Sequence, residues 1–348
     1  VRRGPQQGGL TRGRVLLHAA LVLFIALLIV NAAYYFQSPA IEPTDVAWVK
    51  LKSAPVFAQM MSGFRILSHV VPTYFLFGLY NVVIHNQYGH AASLLGMHSD
   101  LGWWYYFPVA FALKTSLPFL LLSLAALGWM LWRLICKREK LFLALVLPLA
   151  LYLAVALTSH INIGIRHFLP VFPFLFIAAG ALLERLTQFS GKMRLAGLVL
   201  VVFTLGWTCV EAARAYPDYI PYMNQLAAAR PHWQYLSDSN VEWGDDVNAL
   251  AAYLRARGET RVRAALSGGW GTLRFFGVDY IDMIVAPDVR LPSTRYVAIG
   301  AGFLNGSTVA GGVKGRETTA ERTNFFARYR TRQPEAVFGG SIYLFREE

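Results

Sequence analysis

Five apolar runs constrain this chain more than any other feature. They cover about 15–35, 106–134, 141–159, 168–187 and 194–212, and each reaches or approaches the ~20 residues that cross a bilayer as a helix. The second is long and carries Pro108 and Pro118, so a kink or an interfacial start is expected there. Hydrocarbon offers no hydrogen-bond partner to a backbone, so such runs fold as helices. Hydrophobic residues make up 55% of the 348 and charged residues 15%, against about 25% charged in soluble domains. Mean hydropathy is +0.41. The expected fold class is a polytopic α-helical membrane protein with a soluble C-terminal part.

The net charge of +12 does not describe a nucleic-acid surface. Much of it sits beside apolar runs: Arg2, Arg3, Arg12 and Arg14; Arg133, Lys137, Arg138 and Lys140; Arg185, Lys192 and Arg194. Basic residues collect on the cytoplasmic side of spans. Placing all three clusters inside puts the N-terminus in the cytoplasm. Segments 36–105 and 159–167, and everything after about 213, then lie outside. The first run lacks a small-residue cleavage site and is longer than a signal core, so it reads as a true span. A chain that begins with valine is expected to be a piece of a longer one. Cys136 and Cys209 fall in or beside spans and define no disulfide framework.

Two domains follow: a transmembrane bundle over 1–212, with an external loop at 36–105, and an α/β domain over 213–348. In the loop, residues 55–67 suit an amphipathic surface helix, and 72–84 suit a re-entrant or interfacial segment. GWWYYFP at 102–108 suits an aromatic belt at the membrane boundary. The tail carries strand patterns at RVRAAL, YIDMIVA, RYVAIGA and SIYLF. Helical patterns cover DDVNALAAYLRARG and TTAERTNFFARYR. Their alternation predicts a small α/β fold.

Candidate functional residues fall on the predicted outer side. Lys114 lies eight to ten residues into the second run, where a lysine is costly unless it faces a cavity or a partner, or snorkels to the interface. Arg166 and His167 stand at the mouth of the fourth run, before Pro170 and Pro173. A guanidinium there suits a phosphate, because its planar fork offers two parallel hydrogen bonds; interfacial anchoring is the alternative. His90 and His98 can bind a polar substrate, but no H-x-x-x-H spacing marks a metal site, so a divalent cation stays open and no cofactor is assigned. YLSDSNVEWGDD gathers Asp238, Asn240, Glu242, Asp245 and Asp246 around Trp243. The carboxylates, amide and indole suit sugar hydroxyls, while Asp245 or Asp246 suits a cap on the helix that follows.

Four stretches occur in order: NQYGHAASLLGMHSDLGWWYYFPVAFALKTSLP, INIGIRHFLPVFPFLFI, YPDYIPYMNQLA and YLSDSNVEWGDDVNALAAYL. Together they resemble the C-terminal half of bacterial phospholipid-carrier-dependent glycosyltransferases of the protein O-mannosyltransferase and aminoarabinose-transferase type (family 39, GT-C fold). The resemblance covers most of 70–260. It implies a helical bundle, incomplete in this chain, in the bacterial inner membrane, with an extracytoplasmic domain. It also implies transfer of a sugar from a polyprenyl-phosphate carrier to a hydroxyl of a lipid, protein or glycan acceptor. Lys114, Arg166 and His167 match the region that holds the lipid phosphate. His90, His98, Asp238, Asn240 and Trp243 fall where a sugar or acceptor would bind. The family's acidic base lies in its first external loop. Glu42 and Asp45 align with a later loop, so the base is expected upstream of residue 1 and the chain alone is expected to be inactive. A membrane-anchored binding or assembly protein is the alternative. Transport fits less well, since no paired broken helices mark an inverted repeat.

Overall fold

The computed structural model describes residues 12–37, 66–285, 290–311 and 316–347. The amphipathic pattern at 55–65, together with Glu42 and Asp45, lies outside these. The chain forms two compact units, Val1–Gln87 and Tyr88–Glu348.

The first unit contains α1 (Arg12–Ala33) and most of α2 (Thr73–Tyr88). α1 is apolar on every face and none of its spanning window is buried. That pattern suits a lipid environment. Asn31 ends it, donating to the carbonyls of Leu27 at 2.9 Å and Val70 at 3.0 Å. The 72–84 pattern forms the body of α2, a regular helix that starts just after Pro72.

The second unit opens with a hairpin, β1 (Ala92–Leu94) and β2 (Met97–Ser99), turned through Leu95 and Gly96 at positive φ. Then come α3 (Tyr106–Lys114), α4 (Leu117–Cys136), α5 (Leu143–Leu157), α6 (Phe172–Thr187) and α7 (Gly191–Ala215). The second run over 106–134 is not one continuous helix, in keeping with its two prolines. Thr115 and Ser116 are extended, with ψ of 136° and 137°, and divide it into α3 and α4. Pro118 sits in the first turn of α4, where its missing N–H leaves no bond unmade. Lys114 therefore ends a short helix and lies outside the span. GWWYYFP is corrected: Tyr106 and Phe107 are fully buried in the core, and Trp104 remains exposed. Phe107 and Phe111 pack on Phe168, with ring centroids 5.8 Å apart in each pair.

A 3₁₀ stretch over Ile165–Val171 leads into α6 and holds Pro170, while Pro173 occupies the first turn of α6. Among the described residues, five helical segments are long and apolar enough to cross a membrane: Gly13–Ala33, Leu117–Cys136, Lys140–Leu157, Ile165–Thr187 and Gly191–Ala215.

The tail contains α8 (Val247–Arg255), β3 (Arg261–Ala265), α9 (Gly269–Phe275), β4 (Asp279–Asp282), β5 (Tyr296–Gly300) and α10 (Ala301–Leu304). It ends with α11 (Thr319–Asn324), α12 (Ala327–Arg330), β6 (Ala336–Phe338) and β7 (Ile342–Arg346). The sheet order is β4-β3-β5-β7-β6. β3 runs parallel to β4 and β5, and β7 runs antiparallel to β5 and β6. The helix predicted over 318–330 is two short helices, because Phe326 turns inward and is buried. One hydrophobic cluster runs from Phe107, Phe168 and Leu175 through Leu236 and Val241 to Ile299 and Phe345. It ties the sheet to the ends of α3–α6.

Candidate functional site

The site is built on the loop 235–246, and Asn240 is its hub. Asn240 is fully buried. Its amide donates to the Tyr106 hydroxyl at 2.7 Å and the Ser237 carbonyl at 3.1 Å. Its side-chain oxygen accepts from Ile165 N–H at 2.9 Å, and its carbonyl accepts from Lys114 Nζ at 2.8 Å. One residue thus joins α3, the 3₁₀ stretch and the loop. Gly164 makes the approach possible, since a Cβ there would lie 2.4 Å from Ser239 Oγ. Ser239 in turn donates to the Ile163 carbonyl at 2.7 Å.

Lys114 Nζ also donates to the Ile220 carbonyl at 2.5 Å. Two of its protons therefore go to backbone acceptors. Burial lowers its pKa to about 7, against the pull of Asp245. A neutral amine still has two N–H donors, enough for both carbonyls.

Asp238 begins the single turn Asp238–Asn240 with φ +55°, in the left-handed region that Asp and Asn tolerate better than most residues. Its carboxylate accepts from Ser239 N–H at 2.5 Å and lies 3.5 Å from His90 Nε2. Burial would raise the Asp238 carboxyl. The hydrogen bonds from His90 and Ser239, with the charges of His90 and Arg166, outweigh burial and hold the carboxyl below its ordinary range. His90 is brought here by backbone pairing: its N–H donates to the His160 carbonyl at 3.2 Å, and Leu95 N–H donates to the Tyr235 carbonyl at 2.8 Å.

Arg166 is exposed, and its guanidinium lies over the Trp243 indole, 4.5 Å from the ring centroid. Among the described residues it makes no hydrogen bond or ion pair. Its N–H donors therefore have no acceptor among those residues while the cation sits on the indole. Trp243 is 56% exposed. His167 is exposed on the same 3₁₀ stretch.

The structure thus gathers Lys114, Arg166, His90, Asp238, Asn240 and Trp243 about one loop. His98 lies elsewhere. Its Nε2 donates to the Asn305 carbonyl, fastening the hairpin to the segment after α10. The expected helix cap is corrected: Asp246 occupies the position before α8 but makes no capping bond. Its carboxylate instead accepts from Ser341 Oγ at 2.6 Å, and burial raises its pKa to about 6.

One residue escaped the sequence reading as a site member, and the burial of another went unread. Tyr106 was hidden in an aromatic run. Glu242 is fully buried, and it accepts from Ser267 N–H at 2.8 Å and Gly302 N–H at 3.1 Å. Burial raises its pKa to about 8. The available signal was the glycine pair in AIGAGF, since a Cβ at Gly300 would meet the Glu242 carboxylate at 2.0 Å. Among the described residues, no cluster of three or more His, Cys, Asp or Glu could hold a metal ion.

Chemically, the arrangement offers an uncommitted guanidinium, an ionised carboxylate with a histidine, and an exposed indole. These suit an anion next to a hydroxylated group. No family model matches the chain, and no curated protein or solved structure matches it.

Proposed function

We propose that this chain serves sugar transfer from a polyprenyl-phosphate carrier to an acceptor hydroxyl, as a membrane glycosyltransferase of the GT-C type. One observation carries the reading: Arg166 lies over Trp243 with no acceptor for its N–H donors among the described residues, beside the Asp238–His90 pair. In the proposed reaction the acceptor oxygen bonds to the anomeric carbon, the carbon–oxygen bond to phosphate breaks, and the acceptor's proton passes by way of water to the departing phosphate. Arg166 stabilises the negative charge that develops on the departing polyprenyl phosphate. Asp238, His90 and Trp243 hold sugar or acceptor hydroxyls against the indole. Lys114 positions the loop through Asn240 and adds positive charge when protonated. His167 lies one residue from Arg166, near enough in sequence to assist at the phosphate.

The test is binding of farnesyl phosphate, compared with farnesol, to the purified protein in detergent micelles. Farnesyl phosphate is expected to bind more tightly, and Arg166→Gln to weaken it about tenfold, the scale of a lost charge-assisted hydrogen bond. Equal binding of the two compounds, or no effect of Arg166→Gln, would overturn the reading and favour a membrane-anchored binding protein.

A further inference from the structure

A second site candidate lies along the C-terminal half of α7, the helix that leads into the sheet domain. A groove of about 640 Å³ runs past Val202, Phe203, Gly206 and Val210 toward Arg214. That volume is in the range of small-molecule sites. Its length is apolar and exposed, on a helix long and apolar enough to cross a membrane. Its end is polar and basic.

The charges at that end are unequal in their commitments. Glu211 is the nearest acid in sequence to Arg214, three residues before it. Its carboxylate is buried and taken by three donors, Trp207 Nε1, Tyr222 OH and Gln225 Nε2, each at 2.6 Å. Arg214 is exposed, and among the described residues it makes no hydrogen bond or ion pair. The acid is closed to a ligand and the guanidinium is open. An apolar furrow ending in an uncommitted guanidinium complements an amphiphile with an anionic head.

We infer that this groove holds an acyl chain of an anionic bilayer phospholipid, with Arg214 on its phosphate. A phosphodiester accepts the guanidinium's parallel N–H donors, and the C-terminal end of a helix favours the cation there. A second copy fits less well. Two copies inserted in the same direction and paired on this face would bring both Arg214 side chains to one depth, charge against charge. The site shares no residue with the cluster around Asn240.

Gly206 supplies a clean block. A Cβ there meets nothing within 4 Å, so the side chain of Gly206→Phe can start into the furrow without a clash at its first carbon. Native mass spectrometry of the full chain in micelles, titrated with dioleoyl phosphatidylglycerol or dioleoyl phosphatidylcholine, would count retained lipid. The wild type should retain one phosphatidylglycerol that Gly206→Phe does not. Arg214→Gln should weaken that binding about fivefold, the scale of one basic residue at an anionic lipid surface. Equal retention of the two lipids would overturn the role of charge. Equal phosphatidylglycerol on wild type and Gly206→Phe would overturn the site. A wild-type dimer lost in Gly206→Phe, with lipid unchanged, would assign the face to a second copy instead. Farnesyl phosphate binding should be untouched in both variants, so this inference and the Arg166 reading fail independently.

Discussion

The Lys114 ammonium lies 2.8 Å from the backbone carbonyl of Asn240, and the side chain of that same asparagine holds Tyr106 and the N–H before Arg166. A lysine that looks like a free intramembrane charge in sequence is thereby a clamp. It fastens the end of α3 to the loop that carries Asp238 and Trp243. The position of Arg166 depends on that clamp through Ile165.

Replacing Lys114 by methionine should leave the Ile220 and Asn240 carbonyls without their donor. The expected cost is about 1–3 kcal/mol for each acceptor left bare. Thermal unfolding in micelles would show it. An unchanged midpoint would mean that water replaces the ammonium.

Stability should depend on pH in two opposed limbs. Glu242 has a pKa raised from 4.5 to about 8, so the folded state holds a proton that the unfolded state has lost between those values. Stability therefore falls as pH rises from about 4.5 to 8. Lys114 is lowered from 10.5 to about 7, so above pH 7 the unfolded state holds the extra proton and stability rises toward pH 10. Asp246, raised from 3.8 to about 6, adds to the fall below pH 6, so Glu242→Gln should flatten the limb from about pH 6 to 8 and Lys114→Met the alkaline one. Midpoints measured from pH 4 to 10 check both.

Gly300→Ala should destabilise the protein by about 1–3 kcal/mol, the usual cost of overpacking. Its Cβ would enter the Glu242 carboxylate and push it from the Ser267 and Gly302 N–H groups. The double variant Gly300→Ala/Glu242→Ala should recover part of that loss. Strictly additive losses in chemical unfolding would show that the two residues do not meet.

Trp243→Leu should weaken farnesyl phosphate binding two- to fivefold, on the scale of ~0.5–1 kcal/mol for an exposed cation–π contact. Stability should hold, because the indole is 56% exposed. Binding equal to that of the wild type would mean that the indole does not orient Arg166.

At Asp238, the positive φ separates two effects. Asp238→Asn keeps a residue that tolerates this conformation and removes the charge. Asp238→Val adds steric strain. Asn should fold nearly as well as the wild type and Val measurably worse, by thermal midpoint. Equal midpoints would mean the loop has relaxed.

Much of the architecture was legible in the chain. Spanning runs are a property of composition and length, so the helices over Leu117–Cys136, Ile165–Thr187 and Gly191–Ala215 could be read directly. The same holds for Val262, Val297 and Leu344, whose β-rich surroundings announce strands. Arg166 was conspicuous because a guanidinium beside an apolar run demands a partner. The break at Thr115–Ser116 was partly legible, since Pro108, Pro118 and the polar Lys114–Thr115–Ser116 interrupt the apolar run. Its position was not, because the packing of Phe107 on Phe168 helps fix where α3 ends.

The sequence by itself determined the apolar helices, the basic clusters and the polar loop 235–246, because each rests on local composition. Tertiary structure alone decided what each polar residue does. His98 and Asp246 are drawn into the scaffold by Asn305 and Ser341, more than 90 residues away in the chain. Arg166 lies over Trp243, and its N–H donors have no acceptor among the described residues. The physical reason is that a hydrogen bond is assigned by position in space. A residue's chemistry says what it can bind, and the fold says whether a neighbour has already taken that capacity.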